Sequence, residues 1–132
     1  MLHGINALAV LVAGLAFFVL GAIWYTLLGK VWAKEAGVDW ENPGGNVPLI
    51  FGLTFVCEVL AAAVIASLLH TSGMAGTLAG VHFGLLTGIG ISCSLLAVNY
   101  LFQRRSLKLY LIDAGHIVLG LAIVGAIVGA WR

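Results

Sequence analysis

Residues 59–103 form an unbroken run of 45 positions without Asp, Glu, Lys or Arg. Drawn out as one helix at 1.5 Å per residue, the run would reach roughly 68 Å, about twice the hydrocarbon core of a bilayer. It must therefore fold back on itself. Thr71-Ser72-Gly73 marks the place, because its small polar residues favour a turn over a helix interior. Two further stretches, 1–29 and 114–131, are also free of these four residue types. Each is close to the about 20 residues that a membrane helix needs.

Composition closes the alternatives. Hydrophobic residues make up 62% of the 132 and charged residues only 8%, against about 45–50% and about 25% in soluble domains. Six Lys/Arg and five Asp/Glu cannot supply the polar shell of a soluble fold. A disordered chain and a nucleic-acid binder are excluded with it, the latter for want of a basic face. Cys57 and Cys93 lie inside apolar runs and are expected to be reduced. The first apolar stretch has no basic flank before it and outruns a signal-peptide core, so it is expected to be a retained membrane helix.

The expected fold is all-α: a single integral membrane domain over 1–132, with four spans near 5–28, 47–70, 74–102 and 107–131. Pro48 suits the first turn of the second span, where a missing N–H costs nothing. Asn42-Pro43-Gly44-Gly45-Asn46 is a turn-rich loop before it. Trp24, Tyr25, Trp32, Tyr100, Tyr110 and Trp131 sit near span ends, where aromatic rings with polar tips favour the membrane interface. Lys30, Lys34, Arg104, Arg105 and Lys108 fall on one side and Arg132 on the other. That bias puts loop 30–46 and its neighbour at 103–106 in the cytoplasm and both termini outside. Trp24-Tyr25 with Lys30 matches Asn99-Tyr100 with Arg105, and Phe55-Val56-Cys57-Glu58 matches Tyr110-Leu111-Ile112-Asp113. These matches suggest a parallel duplication of a helical hairpin.

Small residues indicate how the helices pack. Gly76, Gly80, Gly84 and Gly88 are four apart and line one face of the third span as a glycine zipper, with Gly125 and Gly129 repeating the spacing in the fourth. Absent side chains let backbones approach, and this close packing is a main source of cohesion in lipid. Such a face serves either contact within one bundle or a subunit interface, and a homo-oligomer is expected.

Glu58 is the most informative polar residue. It lies about ten residues into its span, roughly 15 Å deep, where an unpaired carboxylate costs at least about 2.5–3.5 kcal/mol. Thr54, one turn earlier on the same face, is a candidate hydrogen-bond donor to it. Asp113 and His116 are three apart on the fourth span and share a face at comparable depth. Together with Glu58, and with Cys93 as a further member, they would form an intramembrane proton-handling site, in which two carboxylates compete for a proton that His116 relays. The plainer alternatives are Asp113 paired with Lys108, Arg105 or Arg104, and Glu58 as a hydrogen-bonded packing group. Cys57, Glu58, Cys93 and His116 lack ligand spacing, so no metal or cofactor is expected. His82 falls in the outer half of its span, and His3 and His70 at the outer interface. No catalytic constellation is present, and an enzyme is not expected.

Two stretches carry a family resemblance. One is Ala22-Ile23-Trp24-Tyr25 with Gly29-Lys30-Val31-Trp32, and the more specific one runs from Asn99-Tyr100-Leu101-Phe102-Gln103-Arg104-Arg105 through Tyr110-Leu111-Ile112-Asp113-Ala114-Gly115. The chain resembles the small bacterial membrane family called domain of unknown function 1761 over essentially its whole length. The resemblance implies a four-helix protein of the bacterial inner membrane with no assigned activity. It also implies that Asn often stands at the position of Asp113 and an aromatic at that of His116, so this chain departs from the pattern at both. The expected function is that of a small proton- or cation-coupled transporter or channel-like protein, with the lipid bilayer and a small cation or proton as partners. The alternative is a non-catalytic helper that binds another membrane protein through the glycine face.

Overall fold

The computed structural model describes residues 4–131; His3 and Arg132 lie outside them. Four helices run Ala7–Ala36 (α1), Val47–Ser72 (α2), Thr77–Phe102 (α3) and Leu107–Ala130 (α4). Each is long and apolar enough to cross a bilayer, so this is a multi-pass membrane protein whose outer faces meet lipid.

The helix ends are set locally. Asn6, Asn46 and Ser106 are N-caps whose side-chain oxygens accept the backbone N–H three residues on, from Ala9, Leu49 and Leu109. Pro48 occupies the first turn of α2. Gly37 and Gly73 close α1 and α2 in the left-handed region, at φ 73° and 71°. α1 runs past the apolar stretch as far as Ala36, so residues 30–36 are helix rather than loop. The hydrocarbon ends there but the helix does not, because Lys, Ala and Glu are good helix formers in water. The rest of the connection folds back and seats Trp40 in the notch over Gly29, where a Cβ would collide with the indole.

α3 contains one widened turn, Gly88–Cys93, with π-helical bonding. Here the Cys93 carbonyl accepts a hydrogen bond from the Tyr110 hydroxyl at 3.1 Å.

α4 touches all three other helices. Val10, Ala13 and Phe17 of α1, Ala62, Ile65 and Leu69 of α2, and Leu121, Val124 and Val128 of α4 make the apolar core. On its other flank α4 receives α3 backbone to backbone. A Cβ on Gly80 would strike the Gly125 carbonyl, one on Gly84 the Leu121 carbonyl, and one on Gly129 the Gly76 carbonyl. Gly88 sits more loosely, 3.4 Å from the Val118 Cα by the same measure. The Gly76 N–H donates to the Gly129 carbonyl at 3.0 Å.

Both charged segments lie at one end of the bundle. The Arg105 guanidinium donates to the Ala36 carbonyl at 2.9 Å, and the Ser106 hydroxyl donates to Glu35 at 2.6 Å. Ser106 thus caps α4 and ties it to α1. Ser106→Ala is expected to lower stability by about 1 kcal/mol, seen as an earlier transition in detergent-denaturation curves followed by circular dichroism.

Candidate functional site

Glu58 lies eleven residues beyond the start of α2, roughly 17 Å along it. Only 7% of it is exposed, and it is the one charged residue in the buried set among the described residues. Facing it are Gly21 of α1 and His116 of α4. The point where a Gly21 Cβ would stand is 3.1 Å from His116 Nε2 and 4.0 Å from Glu58 Oε1. The missing side chain thus leaves a narrow space, tight for a methyl group, beside a carboxyl and an imidazole. Glu58 Oε2 and His116 Nε2 are both buried and have no hydrogen-bond partner. Buried polar groups in proteins are nearly always satisfied, so two orphans beside one gap call for an explanation.

Three aromatic rings of α1 surround the imidazole. Phe17, Tyr25 and Trp24 have ring centroids 5.1, 5.2 and 6.4 Å from that of His116. Phe17 reaches this position because Gly120 has no side chain; a Cβ there would collide with its ring. The Trp24 indole N–H donates to the Ile112 carbonyl at 3.0 Å, which fixes α1 against α4 just below the imidazole.

Asp113, one turn from His116, has a different environment. Its Oδ1 accepts the Tyr25 hydroxyl and its Oδ2 the Tyr100 hydroxyl, each at 2.5 Å. The partners are two phenols from α1 and α3 rather than Lys108, Arg105 or Arg104. These two tyrosines occupy matching positions in the sequence comparison of the first and third spans, and both converge on the one aspartate.

The sequence-derived set is thus partly brought together. Glu58 and His116 share the gap, and Asp113 adjoins them through Tyr25. Thr54 does not serve Glu58: it is exposed, and its hydroxyl donates to its own helix at the Ile50 carbonyl, 2.8 Å away. Cys93 is buried on the α3 side of α4 with its thiol 3.8 Å from the Ala114 carbonyl. Cys57 and His82 are exposed on the outer surface. Gly76, Gly80, Gly84 and Gly88 stand along the α3–α4 contact, where α4 of the same chain covers Gly80 and Gly84. Trp24, Tyr25, Tyr100 and Tyr110 do not offer their donors to interfacial water; each bonds inside the bundle. Sequence reasoning missed Gly21. In the sequence, Ala7, Gly14 and Gly21 recur every seven positions, a spacing that by itself indicates only helix packing.

The family model described as "Protein of unknown function (DUF1761)" matches residues 8–129. The chain belongs to this family. The matched range contains all four membrane helices except the first residue of α1 and the last of α4, and every residue of the polar site. No curated protein and no solved structure matches the chain. For this DUF1761 member the chemistry must therefore be argued from the site. Two groups able to take or give a proton flank the narrow space over Gly21, and a third accepts a hydrogen bond at each of its oxygens beside them.

Proposed function

We propose that this protein is a small transporter or channel-like protein of the bacterial inner membrane, and that a proton or small cation is exchanged at Glu58. The supporting observation is that Glu58 Oε2 and His116 Nε2 are buried without partners while Glu58 Oε1 and the same imidazole nitrogen flank the space over Gly21. Stability alone does not favour this arrangement. A carboxyl and an imidazole without partners are costly in the membrane, and an apolar pair of the same shape would pack at lower cost. Intramembrane ionisable residues that carry such a cost commonly mark ion or proton pathways. The excess of Lys and Arg at the end holding Arg105 and Lys34 supports a cytoplasmic location for that end, with both termini outside. Self-association, if the protein forms a homo-oligomer, would use a face other than Gly80 and Gly84, which α4 already covers.

The test is ion flux in proteoliposomes under an imposed gradient of protons, Na+ or K+. Wild-type protein is expected to carry one of these, and Glu58→Gln to lower that flux about tenfold or more while the circular dichroism spectrum is retained. Equal flux from the two proteins would refute the reading.

A further inference from the structure

Resting on the reading of Glu58 as an exchanging group, we infer that the exchanged species is the proton itself, passed between the Glu58 carboxyl and His116 across the space over Gly21, and that the adjoining Asp113 takes no part in the exchange.

The number and kind of ligands favour a proton over a metal cation. Hard cations such as Ca2+ or Mg2+ take about six or more oxygen ligands, and the alkali cations likewise favour oxygen. The gap offers one carboxyl, and opposite it stands an imidazole nitrogen. The hydroxyl best placed in sequence to add an oxygen, that of Thr54, is turned to the Ile50 carbonyl. Backbone carbonyls of the surrounding helices accept their own helices' N–H groups, as lipid requires, and the nearby Ile112 carbonyl also accepts the Trp24 indole N–H. A proton needs only two lone pairs, and a carboxyl oxygen and an imidazole nitrogen supply them.

Size excludes organic cations. A single Cβ on Gly21 would already stand 3.1 Å from His116 Nε2. An ammonium group with carbon substituents does not fit where one methyl group is tight.

The step balances without a co-reactant. The O–H bond of the protonated Glu58 carboxyl breaks and an N–H bond forms at His116 Nε2, so carboxylic acid and neutral imidazole become carboxylate and imidazolium. Neither atom hydrogen-bonds the other directly, so a rotamer change of Glu58 or one bridging water completes the path. The titratable groups around the pair come from three helices. Tyr25 of α1 lies against the imidazole, Asp113 lies one turn away on α4, and Tyr100 of α3 reaches Asp113. Cys93 of α3 faces the Ala114 carbonyl instead. Asp113 stays out of the exchange because each of its oxygens accepts a hydrogen bond from a phenol of another helix, which ties the carboxyl to Tyr25 and Tyr100 instead of to the gap.

The test is pH-step infrared difference spectroscopy on the reconstituted protein, with the carboxyl stretch as readout. Of the two carboxyls within the apolar spans, Glu58 and Asp113, only one is expected to gain and lose its proton. Its band is expected to vanish in Glu58→Gln, to shift in His116→Gln and Gly21→Ala, and to persist in Asp113→Asn. Replacing Na+ or K+ with choline is expected to leave it unchanged. Should Asp113→Asn fail to fold, Tyr25→Phe loosens one side of Asp113 and is likewise expected to leave the band in place. Loss of the band with Asp113 instead of Glu58, or its displacement by Na+ or K+, would overturn the inference. In the latter case, accompanying Na+ or K+ flux in proteoliposomes would leave the transport reading standing. A titrating Glu58 band without flux of any ion would support the proton site and refute transport.

Discussion

Replacing Gly80 with leucine is expected to keep α3 from seating on α4, at a cost of about 3 kcal/mol or more. Overpacking is usually softened by a side chain that swings aside, but here a Cβ would strike the Gly125 carbonyl, which belongs to a helix backbone. Relief requires the two helices to separate along their length, which exposes the contacts at Gly84 and Gly129 as well. The control lies within the same spans. A Cβ on Gly52 or Gly90 meets nothing within 4 Å, and leucine is a better helix former than glycine. Gly52→Leu and Gly90→Leu are therefore expected to be neutral or stabilising. Unfolding by a denaturing detergent, followed by circular dichroism, separates the cases. A Gly80→Leu curve that overlays that of Gly90→Leu would show that the close approach carries no weight. Because a Cβ on either Gly80 or Gly125 would strike the other's carbonyl, the Gly80→Ala and Gly125→Ala costs are expected to be less than additive in the double variant.

Asp113→Leu is the second large effect, expected to cost about 3 kcal/mol. Two hydroxyls lose their acceptor at once, and three helices lose their shared junction. Hydrogen bonds between membrane helices often contribute only about 0.6 kcal/mol, but these go to a carboxyl, and the orphaned phenols are held half-buried. Tyr25→Phe and Tyr100→Phe each remove one donor and are expected to cost about half as much. Once Asp113 is replaced by Leu, the further loss of either hydroxyl is expected to be nearly neutral or to restore stability. A full tyrosine cost persisting in that background would mean the phenols act through other partners.

The four spans were legible because lipid imposes one rule on every segment: satisfy the backbone locally and keep charge out. The turn at Gly73 and the face holding Gly80 and Gly84 followed from residue types whose conformational or steric effect is local. The site was legible as far as depth, since Glu58, Asp113 and His116 could be placed by helix rise. Their partners were not. A helix apolar on all sides carries almost no record of which face turns inward, so Tyr25 and Tyr100 read as interface anchors and Thr54 as a partner of Glu58. Gly21 was invisible as part of a site because its contribution is an absence, which acquires meaning only when His116 and Glu58 stand opposite it. The widened turn at Gly88–Cys93 depends on how α3 lies along α4, and no single residue type announces it.

The hydrogen bonds that cross between helices divide the molecule unequally. α1 is joined to α4 through Trp24, Tyr25 and Asn6, and α3 to α4 through Tyr100, Tyr110 and Cys93. The side-chain hydroxyls of α2 at Thr54, Ser67, Thr71 and Ser72 donate to their own helix. Val59 over Gly14 and Phe51 and Phe55 against Phe18 hold it by apolar contact. In mechanical terms α1, α3 and α4 are a riveted frame, and Glu58 rides on a helix that meets the frame at these apolar contacts. Apolar contact tolerates slip better than a directed bond does. The carboxyl and the imidazole therefore stand on opposite sides of the more forgiving seam of the bundle.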